Sequence, residues 1–287
     1  MVTGWTSSSD RHGARIWRAP DLGGVELFRA SLTEFSFSPH AHEEFFIALT
    51  ERGRAAAVYR GGTHMVGPGD VIMLNPEEPH AGGPPAGAGW TYRALYADPA
   101  LMSGIAADLG ADSGGKPPRF GRDLVRDRDV TARLRHFHRL AETPLTEALE
   151  RETYLAETLV LLAGRHGEPP REPRAAGREH DAVRLCREYL RAHARENVTL
   201  QTLSGLTGLS PFHLCRVFGK AVGMTPHAYL TQARVRRAKA LLKTGLPAGE
   251  VAVEAGFYDQ AHLTRHFKRL VGVTPARYAR DAAVRSL

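Results

Sequence analysis

The sequence predicts an α+β chain of two domains. A small antiparallel jelly-roll barrel with two trailing helices comes first. An all-helical part follows, built from two helix-turn-helix units on a long connecting helix. Three observations carry this expectation. Residues 25–97 hold six short apolar or alternating runs separated by Gly- and Pro-rich breaks, a pattern of strands rather than helices. Residues 210–229, SPFHLCRVFGKAVGMTPHAY, recur 49 positions later as 259–278, DQAHLTRHFKRLVGVTPARY, with nine identities in register. The net charge of +7 is unevenly divided: residues 1–170 carry 18 Lys and Arg against 22 Asp and Glu, whereas residues 171–287 carry 20 against 9.

At 287 residues the chain is long enough for more than one core. Its 43% hydrophobic and 24% charged content is that of a soluble globular protein. No apolar run approaches the roughly 18–20 residues that span a bilayer. The opening MVTGWTSSSDRHGARIW lacks the apolar stretch of a secretory signal. A cytoplasmic protein without membrane contact is therefore expected. In that reducing compartment Cys186 and Cys215 read as free, small apolar side chains within helices. The basic second half suits a polyanion such as double-stranded DNA, or else is a solvated basic surface.

The expected strands lie at 25–31, 34–38, 45–50, 55–60, 71–74 and 90–97. Gly23-Gly24, Gly61-Gly62, the turn from Gly67 to Asp70 and the loop from Gly82 to Gly89 break them. Such short strands suggest a barrel or double-sheet jelly roll. Residues two apart in a strand share a face, so His40, His42 and Glu44 would point together. His80 follows the Pro68-Gly69-Asp70 turn and a second short strand. These histidines and that turn resemble the cupin pattern, a jelly roll whose two motifs face its interior. Metal-binding cupins usually carry a Glu four or five positions after the second histidine, where this chain has Phe46 and Ile47. Glu44 is the candidate substitute. The usual Gly before the last histidine is also missing. Three readings stay open for His40, His42, Glu44 and His80. They form an open Zn²⁺ or Fe²⁺ site, or they line an organic effector pocket together with Trp90 and Tyr92, or they are structural. No cofactor is expected beyond a divalent metal at His40, His42 and His80.

Asp98-Pro99 offers an N-cap and a first-turn proline. After a Gly/Pro-rich loop at 110–122, helices are expected at 129–141 and 146–165. The second carries a stripe of Leu145, Leu149, Glu152, Leu155 or Ala156, Leu159 and Leu162 or Ala163. That stripe would pack on the barrel or pair with a second subunit as a homodimer. Residues 166–180, HGEPPREPRAAGREH, read as a tether. Residues 1–165 are then one expected domain, cupin-like, and 181–287 a second with helix-turn-helix units at about 199–221 and 248–271. Thr199 caps a helix to Leu206, Gly208-Leu209 turns the chain, and Ser210-Pro211 starts the next helix. Thr225-Pro226 starts a helix through Lys243, about 27 Å long. Leu246-Pro247, the turn Gly256-Phe257-Tyr258, the cap Asp259 and the start Thr274-Pro275 repeat the plan.

In each second helix Leu214, Val217 and Phe218, or Leu263 and Phe267, form the buried stripe. The opposite face would present Phe212, Cys215, Arg216 and Gly219 in the first copy. In the second it would present Gln260, Ala261, Thr264, Arg265 and Lys268. Arg can grip guanine, Gln can grip adenine, and Ala or Thr can touch the thymine methyl. Lys220 and Lys268 suit phosphates. The connecting helix carries Arg234, Arg236, Arg237 and Lys239. Its length would hold the two reading helices about one DNA turn, roughly 34 Å, apart.

The run A-x-x-x-G-F-x-D-Q-x-x-L-x-R-x-F-K-R-x-x-G-x-T-P-x-x-Y, from Ala252 to Tyr278, resembles the signature of the AraC/XylS transcription regulators. The similarity extends over 181–287. It implies binding to asymmetric DNA, activation of transcription through RNA polymerase, no enzymatic activity, and a cupin-like front domain that binds a small effector and often dimerises. The alternative is a metal-dependent cupin enzyme, or a metal sensor, fused to a DNA-binding domain. Phe212 and Cys215 are poor hydrogen-bond formers, so the second reading helix is expected to be the more selective.

Overall fold

A computed structural model describes residues 13–18, 21–23, 25–110, 116–143, 146–168 and 179–284. They fall into two compact units, the first up to residue 142 together with 158–168, the second from 143 to 157 together with 179–284. Most of the expected tether at 166–180, and Leu145, lie outside the described residues.

The first unit contains β1 (Gly13–Trp17), β2 (Val25–Leu32), β3 (Phe37–His40), β4 (Phe45–Gly53), β5 (Ala55–Tyr59), β6 (Gly62–Val66), β7 (Val71–Leu74), β8 (His80–Gly83) and β9 (Trp90–Ala97). Helix α1 (Pro99–Asp108), the short strands β10 (Arg119–Phe120) and β11 (Leu124–Val125), and helix α2 (Arg128–Glu142) follow. Helix α3 (Ala148–His166) runs across the division and leads to β12 (Gly167–Glu168). Strands β1-β2-β9-β4-β7-β11 form one antiparallel sheet, β3-β8-β5-β6 a second, and β10-β12 a pair.

The two larger sheets share a core. Phe46, Ala48, Ile72, Leu74, Trp90, Tyr92 and Ala94 of one meet Ala55, Ala57, Tyr59 and Val66 of the other. The spacing of two within each strand is the alternation of a pleated sheet. Strands β4 and β7 depart from it, because Phe45, Ile47, Leu49 and Met73 on their second face are buried too. Helix α2 packs against β4 and brings buried Val130, Leu134 and Phe137. The run expected at 55–60 stops at Tyr59. Arg60 (φ 48°) and Gly61 (φ 75°) are the two central residues of the β5–β6 hairpin, as its primed turn requires. Strands β1, β6, β8, β10, β11 and β12 add to the six expected runs, and the run expected at 34–38 is instead a strand at Phe37–His40. His80-Ala81-Gly82-Gly83 has no β-branched residue to announce a strand. In α3 the stripe of Leu149, Leu155, Ala156, Leu159, Leu162 and Ala163 is buried within the single chain, so internal packing takes up those side chains.

The second unit holds α4 (His180–Ala192), α5 (Leu200–Thr207), α6 (Pro211–Val222), α7 (Pro226–Lys243), α8 (Ala248–Ala255), α9 (Gln260–Val271) and α10 (Pro275–Val284). The expected caps form: Thr199, Ser210, Thr225 and Asp259 accept from the backbone N–H groups of Thr202, His213, Ala228 and His262. Helix α7 gives Val235, Ala238 and Leu242 to the core of the second helix-turn-helix, where they meet Val251, Ala252, Ala255, Phe257, Leu263 and Phe267. Gly256 ends α8 at φ 87°, and a Cβ there would sit 2.4 Å from the Ala194 carbonyl oxygen and 2.8 Å from Arg195 Cα. Gly256→Ala is expected to cost more than about 1 kcal/mol. The urea midpoint checks this. Gly208→Ala, at φ 69° but with open space around it, is the comparison that bears only the backbone strain. Equal midpoints for the two variants would refute the clash.

Candidate DNA-binding and effector sites

Helix α9 turns His262, Leu263, His266 and Phe267 inward. Its other face leaves Gln260, Ala261, Arg265 and Lys268 exposed and Thr264 half-buried. These five residues, with Arg269, form one open face of the helix. All five second-copy candidates therefore share one surface. Arg269 was missed. It is exposed one turn beyond Arg265, and its Nη2 donates to His266 Nδ1 at 3.1 Å.

Helix α6 differs. Lys220 is exposed and Arg216 half-buried, with Arg216 Nη2 donating to His213 Nδ1 at 2.5 Å. Phe212 and Cys215, expected on the exposed face, are buried at 8% and 5% exposure. Cys215 lies beside Thr153 and Glu157 of α3 and near Cys186 of α4, and burial raises its thiol pKa well above the ordinary value. The face that periodicity left to solvent is covered by other helices of the same unit. Arg234 is also corrected from a surface cation to a buried one, 3% exposed. Its Nε donates to the Ala194 carbonyl at 2.6 Å and its Nη2 to the Glu196 carbonyl at 3.0 Å, while Nη1 is bonded to the Glu147 carboxylate.

Glu147 heads a buried cluster. Its carboxylate lies 3.8 Å from His227 and 3.9 Å from His262, and Glu150 lies 3.8 Å from His227. Burial raises the pKa of Glu147 despite Arg234, and raises that of Glu150 with help from Glu147. Burial lowers His227 to about 3, with His266, Arg234, Arg269 and His262 pushing the same way. It lowers His262 to about 4 and His266 to about 3, with nearby arginines adding to both. All three imidazoles are therefore neutral at pH 7. Glu152 accepts from the Leu200 N–H at 2.5 Å, at the N-terminus of α5, where the helix dipole favours a carboxylate.

In the barrel, His40 ends β3, His80 begins β8, and His42 stands in the turn before β4. The rings converge: centroids are 4.8 Å apart for His40–His42, 4.4 Å for His40–His80 and 5.0 Å for His42–His80. Glu44 is not in this group, because 41–44 is a turn rather than a continued strand and the shared-face argument fails there. One ring nitrogen from each histidine lies within 4.8 Å of the others, so the three could hold a metal ion. Nδ1 of His40 faces the Ser38 carbonyl at 2.8 Å and Nδ1 of His80 the Glu78 carbonyl at 2.9 Å. As donors they would leave Nε2 free to ligate. Burial beside His80 and His40 lowers His42 to about 4, and burial lowers His80 as well, which keeps lone pairs available. Phe46, where metal cupins usually carry a carboxylate, stacks on His80 at 5.4 Å. The fit is to a three-histidine open site that would supply Lewis acidity.

The histidines share a cavity of about 40 Å³ with Phe37, Phe46, Tyr59, Ile72, Leu74, Trp90, Tyr92 and Tyr96. Trp90 and Tyr92 thus take the lining places suggested for them. Phe37, Phe46, Tyr59 and Tyr96 were not foreseen. Their only signal was alternation within strands whose register a sequence does not show.

Comparison with known proteins agrees with both halves. Residues 22–159 match the AraC-like ligand binding domain and residues 203–281 a helix-turn-helix domain. The chain is 31% identical over 238 residues to the uncharacterized HTH-type transcriptional regulator YbfI of Bacillus subtilis, covering 83% of this chain and 85% of that one. It is 26% identical over 239 residues to the HTH-type transcriptional activator RhaS of an Enterobacter species, covering 80% and 83%. A solved structure of a probable AraC family transcriptional regulator from Rhodopseudomonas palustris is 28% identical over 36% of this chain and 97% of that one, with a TM-score of 0.34. With a ligand-binding β-barrel before a double helix-turn-helix, the chain belongs to the AraC family of transcriptional regulators.

Proposed function

We propose that this regulator is a cytoplasmic activator that reads its operator chiefly through α9, contacts RNA polymerase, works as a homodimer, and is controlled by a small effector in the barrel. The outer face of α9 carries the reading, since it gathers Gln260, Ala261, Thr264, Arg265 and Lys268 on one side of the helix. Arg265 would grip a guanine, Gln260 an adenine, and Lys268 and Arg269 the phosphates. Arg216 and Lys220 supply the contacts from α6, with Phe212 and Cys215 holding that helix in place. The relative named as the activator RhaS supports activation.

Selection of binding sites from random duplexes by the full-length protein, followed by gel-shift titration, tests this. Arg265→Ala is expected to weaken binding to the selected site by about 1–3 kcal/mol. Recovery of no sequence preference, or an unchanged affinity in Arg265→Ala, would refute the assignment.

A second reading, a metal-responsive regulator, is favoured by one observation: the three convergent imidazoles. Metal analysis of the purified protein and of His42→Ala tests it, with one Zn²⁺ or Fe²⁺ per chain lost in the variant as the supporting result.

A further inference from the structure

We infer that His213 and Glu179 are positioning residues for DNA binding: together they hold the Arg216 guanidinium in the orientation in which α6 presents it. This rests on the reading of Arg216 as a DNA contact.

Arg216 is the first-copy counterpart of Arg265, 49 positions on, so the duplication places it on the reading side of its helix. That side has little else to offer, since Phe212 and Cys215 are buried and Lys220 stands one turn further on. A loose arginine loses rotamer freedom when it docks, which weakens binding. Here that freedom is already reduced. Arg216 Nη2 donates to His213 Nδ1 at 2.5 Å, and His213 Nε2 lies 2.9 Å from Oε1 of Glu179. A guanidinium has only N–H donors, so Nδ1 is the bare nitrogen of a neutral ring. The ring's one proton then sits on Nε2 and is donated to the carboxylate. The bond to Glu179 thereby fixes the tautomer that the bond to Arg216 needs.

Each partner is itself held. His213 is half-buried, and its backbone N–H donates to the Ser210 hydroxyl that caps α6. Glu179 occupies the N-cap position of α4 but makes no side-chain capping bond there. Its carboxylate faces His213 instead, 34 residues away in sequence. Carboxylate, imidazole and guanidinium form a row in which the anion stands one ring away from the arginine. A carboxylate bonded directly to Arg216 would compete with DNA phosphate or a base edge for its strongest hydrogen bonds. A neutral imidazole orients the guanidinium and leaves its charge in place.

The second copy uses histidine in the same way one turn later. His262, the counterpart of His213, turns into the core, and its Nδ1 accepts from the Tyr258 N–H at 3.4 Å. The arginine held there is Arg269, by His266 at 3.1 Å. Both reading helices thus pair an arginine with the histidine three residues before it, a spacing at which helix side chains meet.

The experiment is a gel-shift titration of the full-length protein and its variants on the duplex that the parent selects from random sequences. The variants compared are those whose urea midpoints match the parent's. His213→Gln keeps an amide N–H for Glu179 but lacks the acceptor at Nδ1, and is expected to raise Kd about three- to ten-fold. His213→Asn puts a carbonyl oxygen near the place of Nδ1 and is expected to recover most of that loss. Glu179→Ala, which leaves α6 itself unaltered, is expected to raise Kd in the same direction. In an Arg216→Ala background His213→Gln is expected to change Kd no further, whereas in an Arg265→Ala background it keeps its full effect. The inference is overturned if either His213→Gln or Glu179→Ala binds as tightly as the parent, if His213→Gln weakens binding equally with and without Arg216, or if His213→Asn recovers nothing. An Arg216→Ala protein with the parent's affinity instead removes the reading of Arg216 as a DNA contact, on which the inference rests.

Discussion

Lowering the pH from 7 to 5 is expected to strip several kcal/mol of stability from the second unit. The cause is the cluster of neutral histidines. His227 binds a proton near its ordinary 6.5 when unfolded but only near 3 when folded. Between those values the unfolded chain holds more protons, so stability is full above pH 6.5 and drains away as the pH falls. One such group costs about 2 kcal/mol at pH 5. His262, lowered to about 4, and His266, lowered to about 3, act in the same direction. Arg234, Arg265 and Arg269 reinforce the effect, and Asp259 opposes it at His262. Glu147 and Glu150, raised by burial, take up protons in the folded state and offset part of the loss. His138 in the first unit, buried and lowered to about 3, titrates with the same sign. A His227→Gln comparison therefore isolates the cluster. Urea denaturation at pH 7, 6 and 5 should show the variant losing stability less steeply, by about one proton. Parallel profiles would refute the role of His227.

Glu147→Ala carries the second large effect, a destabilisation of about 3–5 kcal/mol. Arg234 is buried, and two of its nitrogens already bond to the Ala194 and Glu196 carbonyls. Those neutral acceptors do not balance its charge. Glu147 is the anion that does. Removing it leaves a guanidinium in a low-dielectric setting with Arg269 and Arg265 in the same neighbourhood. The paired change Glu147→Leu with Arg234→Met deletes both charges and is expected to cost far less than the single one, since desolvating an ion pair consumes most of its attraction. Urea midpoints of the three proteins check the ordering. A single variant as stable as the parent would show that water reaches the guanidinium.

The two-part fold was legible because its signals are local. A cap, a first-turn proline and a turn glycine each act within a few residues, and the duplication repeats them. Helix α9 could be read directly, since little covers it. Helix α6 could not. Phe212 and Cys215 sit at positions that look exposed from their own helix, yet both are buried, and the groups around Cys215 lie on α3 and α4, far away in sequence. Arg234 was misjudged for the same reason, its partner Glu147 lying 87 residues earlier. In the barrel the convergence of His40, His42 and His80 was foreseen, but the argument for Glu44 assumed a strand that ends at His40. Tyr59 and Phe46 become wall residues through cross-sheet register, which no single strand records.

The burial of Phe212 and Cys215 has a consequence for regulatory evolution. A helix that spends its middle on packing has few side chains left with which to discriminate bases. The information content of the operator is then expected to be lopsided, with most bits in the half under α9. Base changes in the half under α6 would be nearly silent, so target promoters could drift there while staying under control.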